Sequence, residues 1–279
     1  MEEVIGILIL GFIALVFAAV HDWRKHEVAN WLNFALIIFA LGFRFFYSFY
    51  SGIGFNFFYQ GVIWLGIFFA LANLFYYSRL FAGGDAKLMI ALGTIIPFYS
   101  DFYSNLNLVL GFFITFFVIG SLYGLMWSFY LMLNNFKGFK KNYKIQFTKN
   151  KKFVFALLSI GLVIMILGFW FDLFFYLGVL VFLIPYLFVF AKSVDESCMI
   201  KVVKVGELVE GDWLYENVRS GKKYVKANWE GLSKEDIKLL KKHFKKIKIR
   251  QGIPFVPVFL LAYLSWLVWI FYFNGVFFF

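Results

Sequence analysis

The sequence predicts an all-α polytopic membrane protein of about eight transmembrane helices, one of them short, with a small cytoplasmic α+β segment between the last two. Hydrophobic residues make up 62% of the 279 residues, and charged residues only 15%. A soluble domain has roughly 25% charged residues. The 42 Phe and nine Trp agree with this class, because a lipid-facing helix can be apolar on every side.

Apolar stretches recur along the chain at lengths that suit a bilayer, whose core of about 30 Å needs roughly 20 helical residues. The candidate spans are residues 4–21, 31–50, 60–78, 86–98, 106–133, 153–171, 173–191 and 254–273. The fourth is short and follows a Gly pair, so a tilted span and a half-span both remain open. The first lacks a preceding basic region and a following small-residue cleavage site, and we expect it to be retained.

The positions of Lys and Arg predict the orientation, because cytoplasmic loops are rich in these residues. The basic loops are 22–30 and 79–87 with two each, 134–152 with seven and 192–252 with fifteen. The loops between them contain no Lys or Arg. Eight spans place every basic loop on one side, whereas seven would misplace one. We therefore expect a multi-pass protein of the cell membrane with both termini outside.

This pattern divides the chain into five parts. Residues 1–133 form a membrane core of spans one to five, 134–152 a basic cytoplasmic loop, and 153–191 a helical membrane hairpin. Residues 192–252 form a cytoplasmic soluble segment, and 253–279 a C-terminal transmembrane helix. The net charge of +11 lies mainly in the loops, which favours membrane lipids as partners and argues against nucleic acid.

The soluble segment is predicted to contain a strand near residues 199–205, a turn at Gly211 and a helix that begins with a capping box at Ser233. Residues with helical spacing give this helix one apolar face, and lysines fill the other: Ile237, Leu240, Phe244 and Ile247 are the apolar set. Such a helix suits either an anionic membrane surface or packing on the rest of the segment. An ordinary solvated lysine face is equally open.

Two acidic residues at the inner ends of spans are the candidate catalytic groups. Asp22 ends span one, and Asp85 follows Gly83 and Gly84 and opens span four. Either residue alone fits a carboxylate in the headgroup region, and Asp85 also fits a helix cap. Together they suggest a dyad in which one carboxyl keeps a proton and the other is ionised. The ionised group activates water and the protonated one donates to the carbonyl under attack, which is the chemistry of an aspartic protease.

Histidine, cysteine and arginine side chains are the other candidates for a chemical role. His21 and His26 flank Asp22, but they lack the His-x-x-x-His spacing of a helical zinc site, so we expect no metal and no cofactor. Cys198 is the single cysteine, which excludes a disulfide within one chain. Arg44 lies inside span two, and we expect its side chain to snorkel to the outer interface.

The two Asp segments resemble those of the type IV prepilin peptidases. Residues 21–32, His-Asp-Trp-Arg-Lys-His-Glu-Val-Ala-Asn-Trp-Leu, are similar to the family's first Asp motif. Residues 82–88, Ala-Gly-Gly-Asp-Ala-Lys-Leu, are similar to its Gly-x-Gly-Asp-x-Lys motif, except that Ala82 replaces the first Gly. Parts of segment 208–257 resemble the C-terminal part of the archaeal branch. The resemblance therefore involves both ends of the chain.

The resemblance implies an endopeptidase that removes a short basic leader from prepilin-like or preflagellin (archaellin) precursors at the cytoplasmic membrane face. It implies catalytic roles for Asp22 and Asp85, and supporting or substrate-binding roles for Gly83, Gly84, Lys87, Glu27 and Asn30. Lys87 is also explained as a positive-inside anchor, and Glu27 as a partner of Arg24. Because the chain lacks the paired Cys-x-x-Cys motifs of bacterial bifunctional members, methyltransferase activity is not implied.

Two other classes remain as alternatives. A presenilin-like intramembrane protease also uses Gly-x-Gly-Asp, but its first motif has Tyr before the Asp, where this chain has His21. A proton-coupled transporter usually places acids at the bilayer midplane and has inverted repeats, whereas here the acids lie at span ends and no repeat is visible. The sequence leaves the oligomeric state and the choice between pilin-type and archaellin-type substrates undetermined.

Overall fold

A computed structural model describes residues 2–25, 28–52, 54–220 and 223–273. The chain divides into two compact units, one of Met1–Gly124 with Pro254–Phe279 and one of Leu125–Ile253. Their elements in chain order are α1 (Glu2–Lys25), α2 (Asn30–Tyr50), α3 (Asn56–Tyr77), α4 (Gly83–Leu92), α5 (Phe102–Asn134), α6 (Phe136–Lys149), α7 (Lys151–Leu167), α8 (Asp172–Cys198), β1 (Ile200–Lys204), β2 (Trp213–Leu214), β3 (Val218–Ser220), β4 (Lys223–Val225), α9 (Lys234–His243), β5 (Lys246–Arg250) and α10 (Val256–Phe273).

The helices are those of a multi-pass membrane protein. Among the described residues, five helices are long and apolar enough to cross a bilayer, namely α1, α2, α3, α5 and α8. A sixth is added if α6 and α7, which meet at an angle of 76°, count as one broken span. The helical membrane class is thus supported, while the count of eight spans stays a prediction. Predicted span four is helical only as far as Leu92.

The first unit is built around a core of aromatic and small side chains. Trp64, Phe68, Phe112 and Trp266 are completely or almost completely buried there. Two polar side-chain groups of α10 bond to helix carbonyls across this core. Tyr263 Oη donates to Leu8 O at 2.9 Å, and Trp266 Nε1 donates to Leu108 O at 2.9 Å. These bonds hold α10 against α1 and α5, because a polar group in an apolar core is costly in free energy unless it keeps its hydrogen-bond partner.

A non-helical stretch, residues 93–101, joins α4 to α5 and is buried from Thr94 to Phe98. Non-helical backbone at membrane depth is tolerated where protein surrounds it and satisfies its polar groups. Arg44 of α2 supplies these partners. Its Nε donates to Thr94 O at 3.1 Å, its Nη1 to Phe57 O at 2.9 Å, and its Nη2 to Pro97 O.

Arg44 is therefore not a snorkelling residue, and that prediction is wrong. Its side chain is completely buried, and its guanidinium lies 4.5 Å from the centre of the Phe57 ring. Gly61 makes room for it, because a Cβ there would lie 2.6 Å from Arg44 Cδ. The planar group has five donors in a fixed arrangement, which lets one side chain bind three carbonyls.

Replacing Arg44 should destabilise the first unit. Arg44→Met keeps the apolar stem but leaves three buried carbonyls without this donor, at about 1–3 kcal/mol for each acceptor left unsatisfied. Arg44→Lys should lose less, because one ammonium has donors but lacks the planar arrangement. Thermal unfolding of the detergent-purified chain measures this order. Equal stability of wild type and Arg44→Met would contradict this role of Arg44.

The second unit contains a tight helical hairpin, formed by α7 and α8. A Cβ on Gly161 would lie 2.8 Å from Phe182 N, and one on Gly178 would lie 2.5 Å from Met165 N. Glycine at both places lets the two backbones approach closely, as small residues do in membrane helix pairs. Before this hairpin, α6 packs against α8 through Phe139, whose ring centre is 5.6 Å from that of Phe190.

The same unit holds the α+β segment. Strands β1, β5 and β2 form an antiparallel sheet in the order β1-β5-β2, and β3 pairs with β4. The predicted strand is confirmed as β1, and Gly211 has the positive φ of a turn, +96°. Ser233 begins α9, where its Oγ and the Asp236 carboxylate each accept the other's backbone N–H. The predicted capping box is therefore confirmed.

The apolar side of α9 faces the segment's own core, where Ile237 and Leu240 are buried. Of the two predicted partners for this helix, packing on the segment is thus the one the structure supports. The predicted extent was too long, because α9 ends at His243 and Ile247 belongs to β5. The alternating sequence Lys-Ile-Lys-Ile-Arg is typical of a strand with one buried face. In the structure this segment is β5, which pairs with β1.

Candidate active site

Asp22 lies near the C-terminal end of α1, and its side chain is buried, with 6% exposed. Its Oδ2 accepts a hydrogen bond of 3.1 Å from the backbone N–H of Val256, the first residue of α10. The first N–H groups of a helix have no partner within it, and they form the positive end of its dipole. The start of α10 therefore orients the Asp22 carboxyl.

Asp85 lies in the first turn of α4 and is also buried, with 9% exposed. Its Oδ2 accepts from the backbone N–H of Ala82 at 3.3 Å, which is the return bond of a capping box. Ala82 itself has extended backbone and no side-chain oxygen to complete the exchange. Asp85 therefore has part of the helix-capping role that its position predicts. This hydrogen bond fixes the position of its carboxyl group.

The structure brings the two carboxyls into one neighbourhood. Asp22 is close enough to Asp85 for their charges to interact, and it also interacts electrostatically with Tyr123 of α5. Two carboxyls whose charges repel each other are harder to ionise together than singly. One acid and one base in the same place is the arrangement that water activation requires.

The Gly pair before Asp85 does not form a left-handed turn. Both residues belong to the first turn of α4, and neither has positive φ. A Cβ on Gly84 would lie 3.4 Å from both the backbone N and Cγ2 of Val28, and one on Gly83 would lie 3.8 Å from the Tyr76 ring, which are ordinary van der Waals distances. Gly84 therefore lies against Val28, which follows the Asp22 segment in the chain.

Lys87 and Asn30 form a direct contact between α4 and α2. Lys87 Nζ donates to Asn30 Oδ1 at 2.8 Å. Asn30 is the first residue of α2, so the bond links the helix that holds Asp85 to the segment that follows Asp22. Glu27, the remaining supporting residue of the prediction, lies outside the described residues.

Two groups at this site were missed from the sequence, the Val256 N–H and Tyr123. Every residue except proline has a backbone N–H, so the sequence alone does not single out Val256 as a donor. Pro254 and Pro257 do indicate a helix start near residue 256. Tyr123 is one of 16 tyrosines in an aromatic-rich chain, and nothing in its sequence neighbourhood separates it from the others. Only the fold reveals that it lies near Asp22.

The Lys87–Asn30 bond should couple the two residues weakly. Both are exposed, so we expect a coupling free energy below about 1 kcal/mol. A double-mutant cycle with Lys87→Met and Asn30→Ala, read by thermal unfolding, measures it. Additive effects of the two changes would show that the bond contributes no measurable stability.

Comparison with known proteins agrees with the motif resemblance. Residues 9–134 match the sequence model of the Type IV leader peptidase family. A preflagellin peptidase of Methanococcus maripaludis is 28% identical over 134 residues, which cover 46% of this chain and 57% of that protein. A preflagellin peptidase of Methanocaldococcus jannaschii is 29% identical over 92 residues, which cover 33% of this chain and 38% of that protein.

The matched region includes Asp22 and Asp85, and it ends before the α+β segment. The chain spans between about two fifths and three fifths of the length of these two relatives. No solved structure gives a significant match to this chain.

Proposed function

We propose that this chain, whose residues 9–134 match the sequence model of the type IV leader peptidase family, is a membrane-embedded aspartic endopeptidase with Asp22 and Asp85 as its catalytic dyad. The observation that carries the proposal is that these two buried carboxyls, which come from separate helices, are within range of each other's charge. Each carboxyl is held by a backbone N–H, from Val256 and from Ala82. Side chains fixed in this way are already arranged for reaction when a substrate arrives.

In the proposed reaction, the ionised carboxyl takes a proton from a water molecule as that water attacks the peptide carbonyl. The protonated carboxyl donates its proton to the carbonyl oxygen, which gives a tetrahedral intermediate. When the C–N bond of this intermediate breaks, the carboxyl that took the water proton gives it to the leaving nitrogen, and a hydroxyl of the intermediate returns a proton to the other carboxylate. No covalent intermediate with the protein is needed. Tyr123 adds a polar group within range of the charge of Asp22.

The proposed substrates are prepilin-like or preflagellin-like precursors with a short leader. The name of the two relatives, preflagellin peptidase, supports this class of substrate. The basic loops 22–30 and 79–87 contain Asp22 and Asp85, and their charge supports a site at the cytoplasmic face of the membrane. A leader cut there has its scissile bond at the membrane surface.

We further propose that the chain crosses the membrane eight times, with both termini outside. In this topology α4 and the buried stretch after it form the fourth span. The ten helical residues of α4 contribute about 15 Å of rise. The stretch from Gly93 to Phe98 continues from the end of α4 in turns, with the N–H groups of Ile95 and Ile96 both bonded to Leu92 O. Two of the three Arg44 bonds, to Thr94 O and Pro97 O, support this interpretation, because they satisfy backbone carbonyls in this stretch.

Removing either carboxylate should abolish leader cleavage. We expect Asp22→Asn and Asp85→Asn each to lower the cleavage rate by at least about 1000-fold, because each loses one partner of the acid–base pair. Asn keeps a side-chain oxygen for the N–H of Val256 or Ala82. The assay is co-expression with candidate precursors, followed by immunoblotting for leader loss.

The matched control is Asp101→Asn. Asp101 also accepts a backbone N–H near a helix start, from Ser104 at 2.8 Å, but it is exposed. This variant should cleave like the wild type. Normal processing by either dyad variant, with correct membrane insertion, would refute the proposed roles.

The rate of cleavage should depend on pH with a bell-shaped profile. Activity requires one protonated and one ionised carboxyl, so it should fall at low pH when both bind protons and at high pH when both lose them. Initial rates of the purified chain with a leader peptide, measured across pH at constant ionic strength, give the profile. A rate that rises with pH to a plateau would indicate a single titrating base instead of a dyad.

A further inference from the structure

Helix α6 is unusually basic for a segment so close to the membrane helices. Residues 134–152 contain seven lysines and no Asp or Glu, and five of the lysines belong to α6 itself. Four of these five, Lys137, Lys140, Lys141 and Lys144, are exposed and lie on the same broad side of the helix. Such a cluster beside a span creates a strong local positive potential.

The opposite side of α6 faces protein. Phe139 and Gln146 are buried there, and Asn135, just before α6, donates through Nδ2 to Ser197 O of α8 at 2.8 Å. Because these contacts hold one side of α6 against α8, the lysine side points away from it. Two large apolar side chains of α6, Phe136 and Ile145, remain 54% and 48% exposed.

The direction of α6 also sets it apart from the spans. It meets the apolar helix α7 at an angle of 76°. If α7 crosses the bilayer, a helix that turns away from it so sharply at its end runs much closer to the plane of the membrane surface than to the bilayer normal. Exposed lysines together with exposed apolar side chains are what an interfacial helix presents to headgroups and to the acyl boundary.

The α6 lysines form no ion pair with a carboxylate within the described ranges. Two acids of α8, Asp195 and Glu196, are paired instead with Arg250, whose Nη1 is 3.0 Å from Asp195 and whose Nη2 is 3.2 Å from Glu196. Among the described residues, the positive charge of α6 is therefore left available for an anionic partner.

Helix α9 provides an internal comparison, because it is also basic and amphipathic. Its apolar residues Ile237 and Leu240 are buried in the core of the α+β segment, and Lys234 is 3.4 Å from Glu210. It also has acids in its first turn, Glu235 and Asp236. Both helices are rich in lysine. Of the two, only α6 also has exposed apolar side chains and a sequence without Asp or Glu.

We propose that the lysine side of α6 is a binding surface for the anionic headgroups of membrane lipids. The ammonium groups bind lipid phosphates, and Phe136 and Ile145 border the lysine side on its two flanks. This proposal does not rest on the proposed peptidase function. Attraction of roughly 1 kcal/mol for each lysine near an anionic surface corresponds to about fivefold in affinity.

The test compares two triple variants of the full chain in neutral detergent. One is Lys137→Gln, Lys140→Gln and Lys144→Gln, which removes three of the four charges on the lysine side of α6. The other is Lys238→Gln, Lys241→Gln and Lys242→Gln, which removes the same charge from α9. Each is titrated with phosphatidylglycerol or phosphatidylcholine, and bound lipid is counted by native mass spectrometry.

We expect the α6 variant to bind phosphatidylglycerol on the order of 100-fold more weakly than the wild type, at about fivefold for each of three lysines. The α9 variant should lose much less, and phosphatidylcholine should bind weakly to all three proteins. Equal losses for α6 and α9 would show a general charge effect and overturn the proposal. Unchanged binding by the α6 variant would overturn it as well.

Two further measurements cover the case in which the α6 variant fails to insert. Replacing the same three lysines with Arg keeps the charge and should retain phosphatidylglycerol binding. Binding by the wild type should also fall steeply with added salt, because exposed charges are screened. Salt-independent binding by the wild type would contradict a headgroup surface made of exposed lysines.

Discussion

The fold depends on the need to satisfy buried polar groups where water is scarce. Inside an apolar core an unpartnered N–H or C=O costs far more than its bond would contribute in water. This chain meets the requirement with side chains at the places where helices end. Arg44 binds carbonyls of a non-helical stretch, and Asp22 binds the first N–H of α10. Both side chains therefore determine where neighbouring backbone lies.

That constraint connects the interior of the first unit to its site. The carbonyls that Arg44 binds at Thr94 and Pro97 follow α4 directly in the chain, so anchoring them also anchors the helix that begins with the Asp85 turn. Gly93 adds to this, because a Cβ there would lie 2.6 Å from Phe68 Cβ. Asp85 is thus positioned from the far end of its helix as well as by Ala82.

The sequence was sufficient for features that depend on composition and local spacing. Apolar length predicted the membrane helices, and the Ser233 capping box predicted the start of α9. It failed where distant parts of the chain decide the outcome. A single arginine in an apolar stretch predicts a snorkelling side chain unless its carbonyl partners are known. For Arg44 the partners Thr94 and Pro97 lie 50 and 53 residues away along the chain. Ile247 has helical spacing, yet pairing with β1 places it in a strand.

The same limit applies to the dyad. Two rare acids at span ends suggest a shared site, but the sequence does not contain the N–H of Val256, which lies 234 residues from Asp22 along the chain. This bond gives Asp22 a structural task besides its proposed chemical one, since it secures the start of α10. An amide side chain at position 22 keeps an acceptor oxygen but cannot serve as a base. Substitution by Asn rather than Ala is therefore what separates the two tasks, because only the chemical one is removed.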